Sequence, residues 1–237
     1  MNAHSYHPAC CSPLSDHWPL PLALRGVQLI STRFDPALLD PQDFARSGVP
    51  ALAAVSKRQT EFLAGRLCAR EALRRMTGEP SIPAVNEDRS PCWPDGIVGS
   101  ITHGAGWAAV AVAQRERWQG LGLDVEKQLA PARADRLVGE ILTPQEREGY
   151  DTLSEAQRAQ RVTLTFSIKE SLFKALYPLV HTRFYFQDAE LIHDDRNGYA
   201  RLRLLTDLSP EWKAGAELEG QFAQFDEWLL SLVSIAA

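Results

Sequence analysis

Two long stretches of this chain repeat apolar residues at helical spacing, and the segments around them are short and alternate like strands. In the first stretch Phe62, Ala69, Ala72, Leu73 and Met76 recur with that period, as do Leu63 and Leu67. Ser56 followed by Gln59 predicts a capping box at its start, the cap contributing about 1 kcal/mol. Gly78 and Pro80 close it. The second stretch covers residues 162–177 and is expected to stop at Pro178. Strands are expected over residues 27–31, 97–102, 107–113 and 121–126. After the second helix, residues 189–193 and 199–205 flank an Asp-Asp-Arg-Asn-Gly turn, and residues 222–225 with 229–235 read as a final hairpin. Residues 130–160 are helical in pattern, and Ser209-Pro210 reads as the start of a further helix. The fold class that follows is α+β: two similar lobes, each a small antiparallel sheet packed with a long helix. Residues 1–20 read as a loose leader, 21–115 as an N-terminal lobe and 116–237 as a C-terminal lobe.

Charge narrows the function classes. The net charge is −5, whereas a general nucleic-acid binder is normally basic. Cys10, Cys11, Cys68 and Cys92 show no spacing of a disulfide framework or zinc site, so they read as thiols of a reducing compartment. His4, His7 and Cys10 form the one loose metal-ligand pattern near the N-terminus. The apolar stretch over residues 18–24 contains Pro19 and Pro21 and is too short to cross a membrane; a cytoplasmic protein without membrane or nucleic-acid partners is expected.

Four motifs carry chemistry. In Gly122-Leu123-Asp124-Val125-Glu126 the strand period places Gly122, Asp124 and Glu126 on one face and Leu123 and Val125 on the other. Two carboxylates about 6–7 Å apart along a strand repel unless a cation or proton intervenes. Mg²⁺ suits such a pair, since it takes one or two carboxylates plus phosphate oxygens and water. The plainer reading is an edge strand with a polar outer face. Gly122 leaves room for a ligand to approach the strand. In Lys169-Glu170-Ser171-Leu172-Phe173-Lys174, Glu170 and Lys174 share a helix face, either as a surface ion pair or as a carboxylate and a cation aimed at the Asp124–Glu126 site. Ser100-Ile101-Thr102-His103-Gly104 puts a histidine at a strand end, able to meet a phosphate or to serve structure alone. Lys57, Arg58, Arg66, Arg70 and Arg74 form a basic stripe on the first helix, with Arg89 in the loop beyond; a solvated helix face is the alternative to an anion site.

Together these motifs resemble the phosphopantetheinyl transferases of the surfactin-synthetase-activating type. The similarity is to the enterobactin synthetase component D branch, and within it to the Pseudomonas form. The resemblance rests on residues 57–73, Arg89-Ser90-Pro91-Cys92-Trp93-Pro94, Gly99 to His103, Gly122 to Glu126 and residues 166–178, in the family's order. Thr102 stands where many relatives carry Ser, which keeps the hydroxyl. The resemblance implies two α+β lobes related by a pseudo-twofold, with coenzyme A as substrate in the cleft between them. It implies Mg²⁺, or Mn²⁺ in its place, held by Asp124, Glu126 and Glu170. Glu170, Lys174 and Asp124 would be catalytic, with Glu170 as base or as metal ligand only. Arg58, Arg66, Arg89, Thr102, His103 and Lys174 would bind coenzyme A, with Arg70 a secondary candidate. The partner implied is an apo acyl carrier protein or peptidyl carrier domain of fatty-acid, nonribosomal-peptide or siderophore synthesis, served by a monomer. A metal-dependent hydrolase or nuclease built on the same carboxylates and a non-catalytic coenzyme A binding module are the rival readings.

Overall fold

The computed structural model describes residues 6–237. The chain divides into two compact units. One holds the described residues through Trp18 together with Leu24–Arg117; the other holds Pro19–Ala23 and Trp118–Ala237. The first unit contains β1 (Val27–Arg33), α1 (Asp43–Ser47), α2 (Ser56–Thr77), β2 (Ala84–Val85), β3 (Pro91–Cys92), β4 (Ile97–Gly104) and β5 (Trp107–Gln114). The second contains β6 (Trp118–Lys127), α3 (Pro131–Ile141), α4 (Glu155–Val180), β7 (Ala189–Asp194), β8 (Tyr199–Leu204), β9 (Glu217–Phe225) and β10 (Trp228–Ala236). The sheets run β1-β5-β4 and β6-β10-β9-β8-β7, with β2 and β3 forming a small ribbon, and every pairing is antiparallel. Each unit is thus a long helix on an antiparallel sheet, the α+β plan expected.

In the first unit, α2 lies on the β1-β5-β4 sheet. Cys68, Ala69, Ala72 and Leu73 pack with Ile30, Val110 and Val112. Leu63, Ala64 and Leu67 pack with Phe34, Phe44, Cys10 and Cys11. The capping box expected at Ser56 does not form. Val55 is the N-cap without a side-chain bond, and Gln59 reaches back to donate to the Leu52 carbonyl at 2.9 Å. Gly78 ends the helix as expected, in the left-handed conformation with its N–H on the Arg74 carbonyl. Of the leader expected to be loose, the described part is tied down. Cys11 bridges Phe34, Ser15 bridges Ser31, and Cys10 and Cys11 are buried, so burial of two thiols and strand-type hydrogen bonds hold this segment. His7 Nε2 bonds the Cys11 carbonyl at 2.8 Å, while His4 lies outside the described residues. With His4 outside the described residues that N-terminal pattern is incomplete here, and among the described residues no three His, Cys, Asp or Glu side chains are closed around one point.

In the second unit a capping box does form at Ser154: its Oγ accepts the Gln157 N–H at 3.3 Å, and Gln157 Oε1 accepts the Ser154 N–H at 3.0 Å. The helix therefore starts at Glu155, well before residue 162. Pro178 lies inside the last turn instead of stopping it, and the helix ends at His181 in the left-handed conformation. No helix follows Ser209-Pro210; the Leu208 N–H and the Ser209 hydroxyl close a turn onto Trp212. Ile168, Leu172 and Leu176 of α4 are fully buried against Leu202, Leu204 and Val233, each side chain contributing roughly 1.5–3 kcal/mol.

The contact that positions the site is between α4 and β6. A β-carbon on Gly122 would overlap the Ser171 carbonyl oxygen and stand 2.6 Å from the Ala175 nitrogen; one on Gly120 would overlap the Ala175 carbonyl oxygen. The space expected beside Gly122 for a ligand is therefore filled by helix backbone. Gly122→Ala must push α4 off the strand, and overpacking of that kind costs about 1–3 kcal/mol or more. Thermal unfolding of the variant should show a lowered Tm, whereas Gly139→Ala, whose β-carbon meets nothing within 4 Å, should not lower it.

Candidate active site

The close seat of α4 on β6 brings the strand carboxylates to the helix. Lys174 Nζ donates to Asp124 Oδ1 at 2.6 Å and to the Leu123 carbonyl at 3.1 Å. Glu170 and Lys174 are therefore not a simple surface pair; the ammonium crosses to the strand. Asp124 is 5% exposed, and its second oxygen, Oδ2, is buried without a hydrogen-bond partner. In register with Asp124 on β10 is Ser231. Its hydroxyl bonds those of Ser167 and Ser171, each at 2.8 Å, so buried hydroxyls of α4 and β10 are joined there.

Glu126 and Glu170 complete an acidic group. Burial, then the charge of Asp124, pushes the Glu126 carboxyl up to about 7, with Glu170 adding to the rise and Lys174 and Arg133 pulling the other way. Burial also raises Glu170; Lys174 opposes and Asp124 reinforces. Three carboxylates facing one ammonium in a half-dry setting lack positive charge. An orphaned buried carboxylate oxygen beside two carboxyls pushed up by burial suits an all-oxygen site for a hard divalent cation. These side chains fit such an ion, although the three are not closed around one point as they stand.

Lys169, which opens the Glu170–Lys174 motif, has a structural role that the motif does not show. It is 3% exposed, and its ammonium places its three protons on the Ile141 carbonyl (2.9 Å), Glu146 Oε2 (2.7 Å) and the Phe186 carbonyl (2.8 Å). Glu146 also accepts the Thr143 and Leu191 N–H groups. This buried network fixes the end of α3 and the segment before β7 to α4, one residue from Glu170. Burial pulls the Lys169 ammonium down and Glu146 opposes that pull. Its only sequence signal is a position one residue before Glu170, hence on a different helix face. Glu170 itself lines a cavity of ≈ 200 Å³ together with Phe173, Arg183, Tyr185 and Phe186.

In the first unit Arg58, Glu61 and His103 meet. Arg58 Nη1 lies 2.9 Å from His103 Nε2 and 3.3 Å from Glu61 Oε2, and His103 Nδ1 lies 3.7 Å from that same carboxylate oxygen. Thr102, the residue before His103 on β4, is buried. The basic stripe does not survive as one solvated face. Arg66 is 6% exposed with its guanidinium 4.7 Å over the Phe62 ring, and its Nε is buried without a partner, so burial lowers its hold on the proton. Arg70 is buried and donates to the Ser47 carbonyl at 2.7 Å, a structural tie. Arg74 and Arg75 both bond Glu71. Lys57 and Arg58 remain exposed in the first turn of α2. Arg89 is exposed in the β2–β3 turn, with a positive φ of 72°.

Comparison with known proteins decides the family. Residues 50–113 match the 4'-phosphopantetheinyl transferase N-terminal domain and residues 120–233 the 4'-phosphopantetheinyl transferase superfamily. The chain is 37% identical over 209 residues to 4'-phosphopantetheinyl transferase Svp of Streptomyces mobaraensis, spanning 85% of this chain and 80% of that one. The chain belongs to the 4'-phosphopantetheinyl transferase superfamily. The chain is also 40% identical over 163 residues to enterobactin synthase component D of Escherichia coli K12, covering 67% of this chain and 74% of that one. The Salmonella typhi protein of the same description is 37% identical over 166 residues, covering 68% and 67%. For this transferase, Lys169→Met should lower stability by about 3–5 kcal/mol, because it strands the buried Glu146 charge. The double variant with Glu146→Gln should recover part of that loss in a denaturant titration.

Proposed function

We propose that this 4'-phosphopantetheinyl transferase moves the phosphopantetheine arm of coenzyme A onto a serine of an apo acyl or peptidyl carrier protein, releasing adenosine 3',5'-bisphosphate, with Mg²⁺ held by Asp124, Glu126 and Glu170. The observation that carries the metal reading is the buried, unpartnered Oδ2 of Asp124 beside two carboxyls, Glu126 and Glu170, that burial and then the charge of Asp124 push up. Mn²⁺ has the same preference for oxygen donors and would serve in its place. Bound there, the ion would neutralise charge on the pyrophosphate of the donor.

The chain's own groups divide the remaining work. Lys174, already on Asp124 Oδ1, is a fixed cation for a phosphate oxygen of the donor. Glu170 is the candidate acceptor for the proton of the carrier serine, as base or through a water. Arg58, His103 and Thr102 would face phosphate. Arg66, with a buried guanidinium and an orphan Nε–H, and Arg89 would take the phosphoadenosine end. No covalent enzyme intermediate is required, and positioning with electrostatic stabilisation supplies the rate. The carriers are those of nonribosomal peptide, siderophore or fatty-acid synthesis. The enzyme would act as a cytoplasmic monomer with no nucleic-acid or membrane partner; no helix among the described residues is long and apolar enough to cross a membrane.

Mass spectrometry of an apo acyl carrier protein and an apo peptidyl carrier protein, after incubation with this protein, coenzyme A and Mg²⁺, tests the reading. The expected result is a phosphopantetheine-sized gain on the carrier serine, abolished by EDTA and restored by excess Mg²⁺ or Mn²⁺. Transfer that persists in EDTA would remove the metal role. No gain on either carrier, from a folded protein that binds coenzyme A, would contradict the transferase reading for these carriers.

A further inference from the structure

Glu61 is out of place in an anion site. It is a carboxylate, 8% exposed, set at the meeting point of Arg58 and His103. A negative charge there repels an incoming phosphate and costs desolvation, so an ordinary helix ion pair does not explain its burial. The geometry supplies another role. A guanidinium has only donors, so the 2.9 Å contact from Arg58 Nη1 makes His103 Nε2 an acceptor. A neutral imidazole with Nε2 accepting carries its proton on Nδ1, and the Nδ1 side faces Glu61 Oε2 at 3.7 Å. Glu61 also holds Arg58, three residues earlier on α2, at 3.3 Å.

We propose that Glu61 is a positioning residue that fixes His103 in the Nδ1–H tautomer, with Nε2 turned toward Arg58 and toward an arriving phosphate oxygen. The proposal rests on the phosphate-facing role given to His103 and Arg58 above. In the free protein Arg58 occupies the Nε2 lone pair. When phosphate arrives it takes over the Arg58 guanidinium, and Nε2 gains a proton and donates to the same anion. The Glu61 carboxylate on the far nitrogen stabilises the imidazolium so formed, as an oriented carboxylate does for histidines in other sites. No bond to carbon or phosphorus forms or breaks here; the only transfer is one proton from solvent to Nε2. Glu61 acts through His103 and Arg58 and needs no contact with the donor.

The test uses the full chain and two readouts. Long-range ¹H–¹⁵N spectra of histidine-labelled protein without coenzyme A report the tautomer of His103, assigned by its absence in His103→Ala. Steady-state transfer to a carrier protein reports KM for coenzyme A and kcat. The wild type should show Nδ1 protonated and Nε2 bare. Glu61→Gln should lose that single tautomer and raise KM for coenzyme A about tenfold, the scale of one charge-assisted contact, with kcat within about twofold. Glu61→Asp, which keeps the charge, should restore most of both. An unchanged His103 tautomer in Glu61→Gln would overturn the proposal. So would a loss confined to kcat that Glu61→Asp fails to rescue. An unchanged KM in His103→Ala would instead overturn the phosphate role itself, and the two failures are thereby told apart.

Discussion

The second unit depends on how closely a helix can approach a strand. Gly120 and Gly122 let the backbone of α4 lie directly on β6, at Ala175 and Ser171, with no side chain between. That seat sets the reach of Lys174, whose ammonium crosses to Asp124 and to the Leu123 carbonyl. It also brings Glu170 within electrostatic range of Asp124 and Glu126. A β-carbon at either glycine would lift the helix and separate groups whose interaction falls off with every ångström. The Lys169–Glu146 network ties the same helix to the end of α3 and the segment before β7, so Glu170 lies between a buried attachment at Lys169 and a part-buried one at Lys174.

Charge in this protein is managed locally. The chain is acidic, at −5, yet its substrate class is anionic. The structure spends few exposed cations on that task. Most arginines of α2 are occupied with Glu71, the Ser47 carbonyl or the Phe62 ring, leaving Lys57 and Arg58 exposed at the helix start. A helix N-terminus adds its own positive partial charge there. In the second unit the excess is negative, and a divalent cation would turn that excess into an asset for a pyrophosphate.

The fold class was legible because periodicity switches cleanly between 3.6 and 2 along the chain. Helix starts were less so. The pattern Ser-x-x-Gln occurs at both Ser56 and Ser154, and only the second forms a box. At the first, the helix begins one residue too early, and Gln59 is drawn to the Leu52 carbonyl. The strand carboxylates, Glu170 and Lys174 could be read from spacing, since i,i+2 on a strand and i,i+4 on a helix each define one face. Three things could not. Gly122 read as an opening, because sequence does not say whose backbone fills the gap. Lys169 has no role legible in its motif, because its burial depends on carbonyls of Ile141 and Phe186, distant in the chain. The arginine stripe read as one face, because helix spacing alone does not show that Arg66 and Arg70 turn inward.

The carboxylate group as a divalent-cation site is the central claim, and Mn²⁺ binding measured by electron paramagnetic resonance in the presence of coenzyme A tests it most directly. The wild-type chain should bind the ion stoichiometrically. Asp124→Asn, which keeps the shape but removes the charge, should weaken that binding by at least about tenfold, roughly 1.4 kcal/mol, while the protein stays folded. An Asp124→Asn chain that binds Mn²⁺ as tightly as the wild type would place the metal elsewhere and contradict the site.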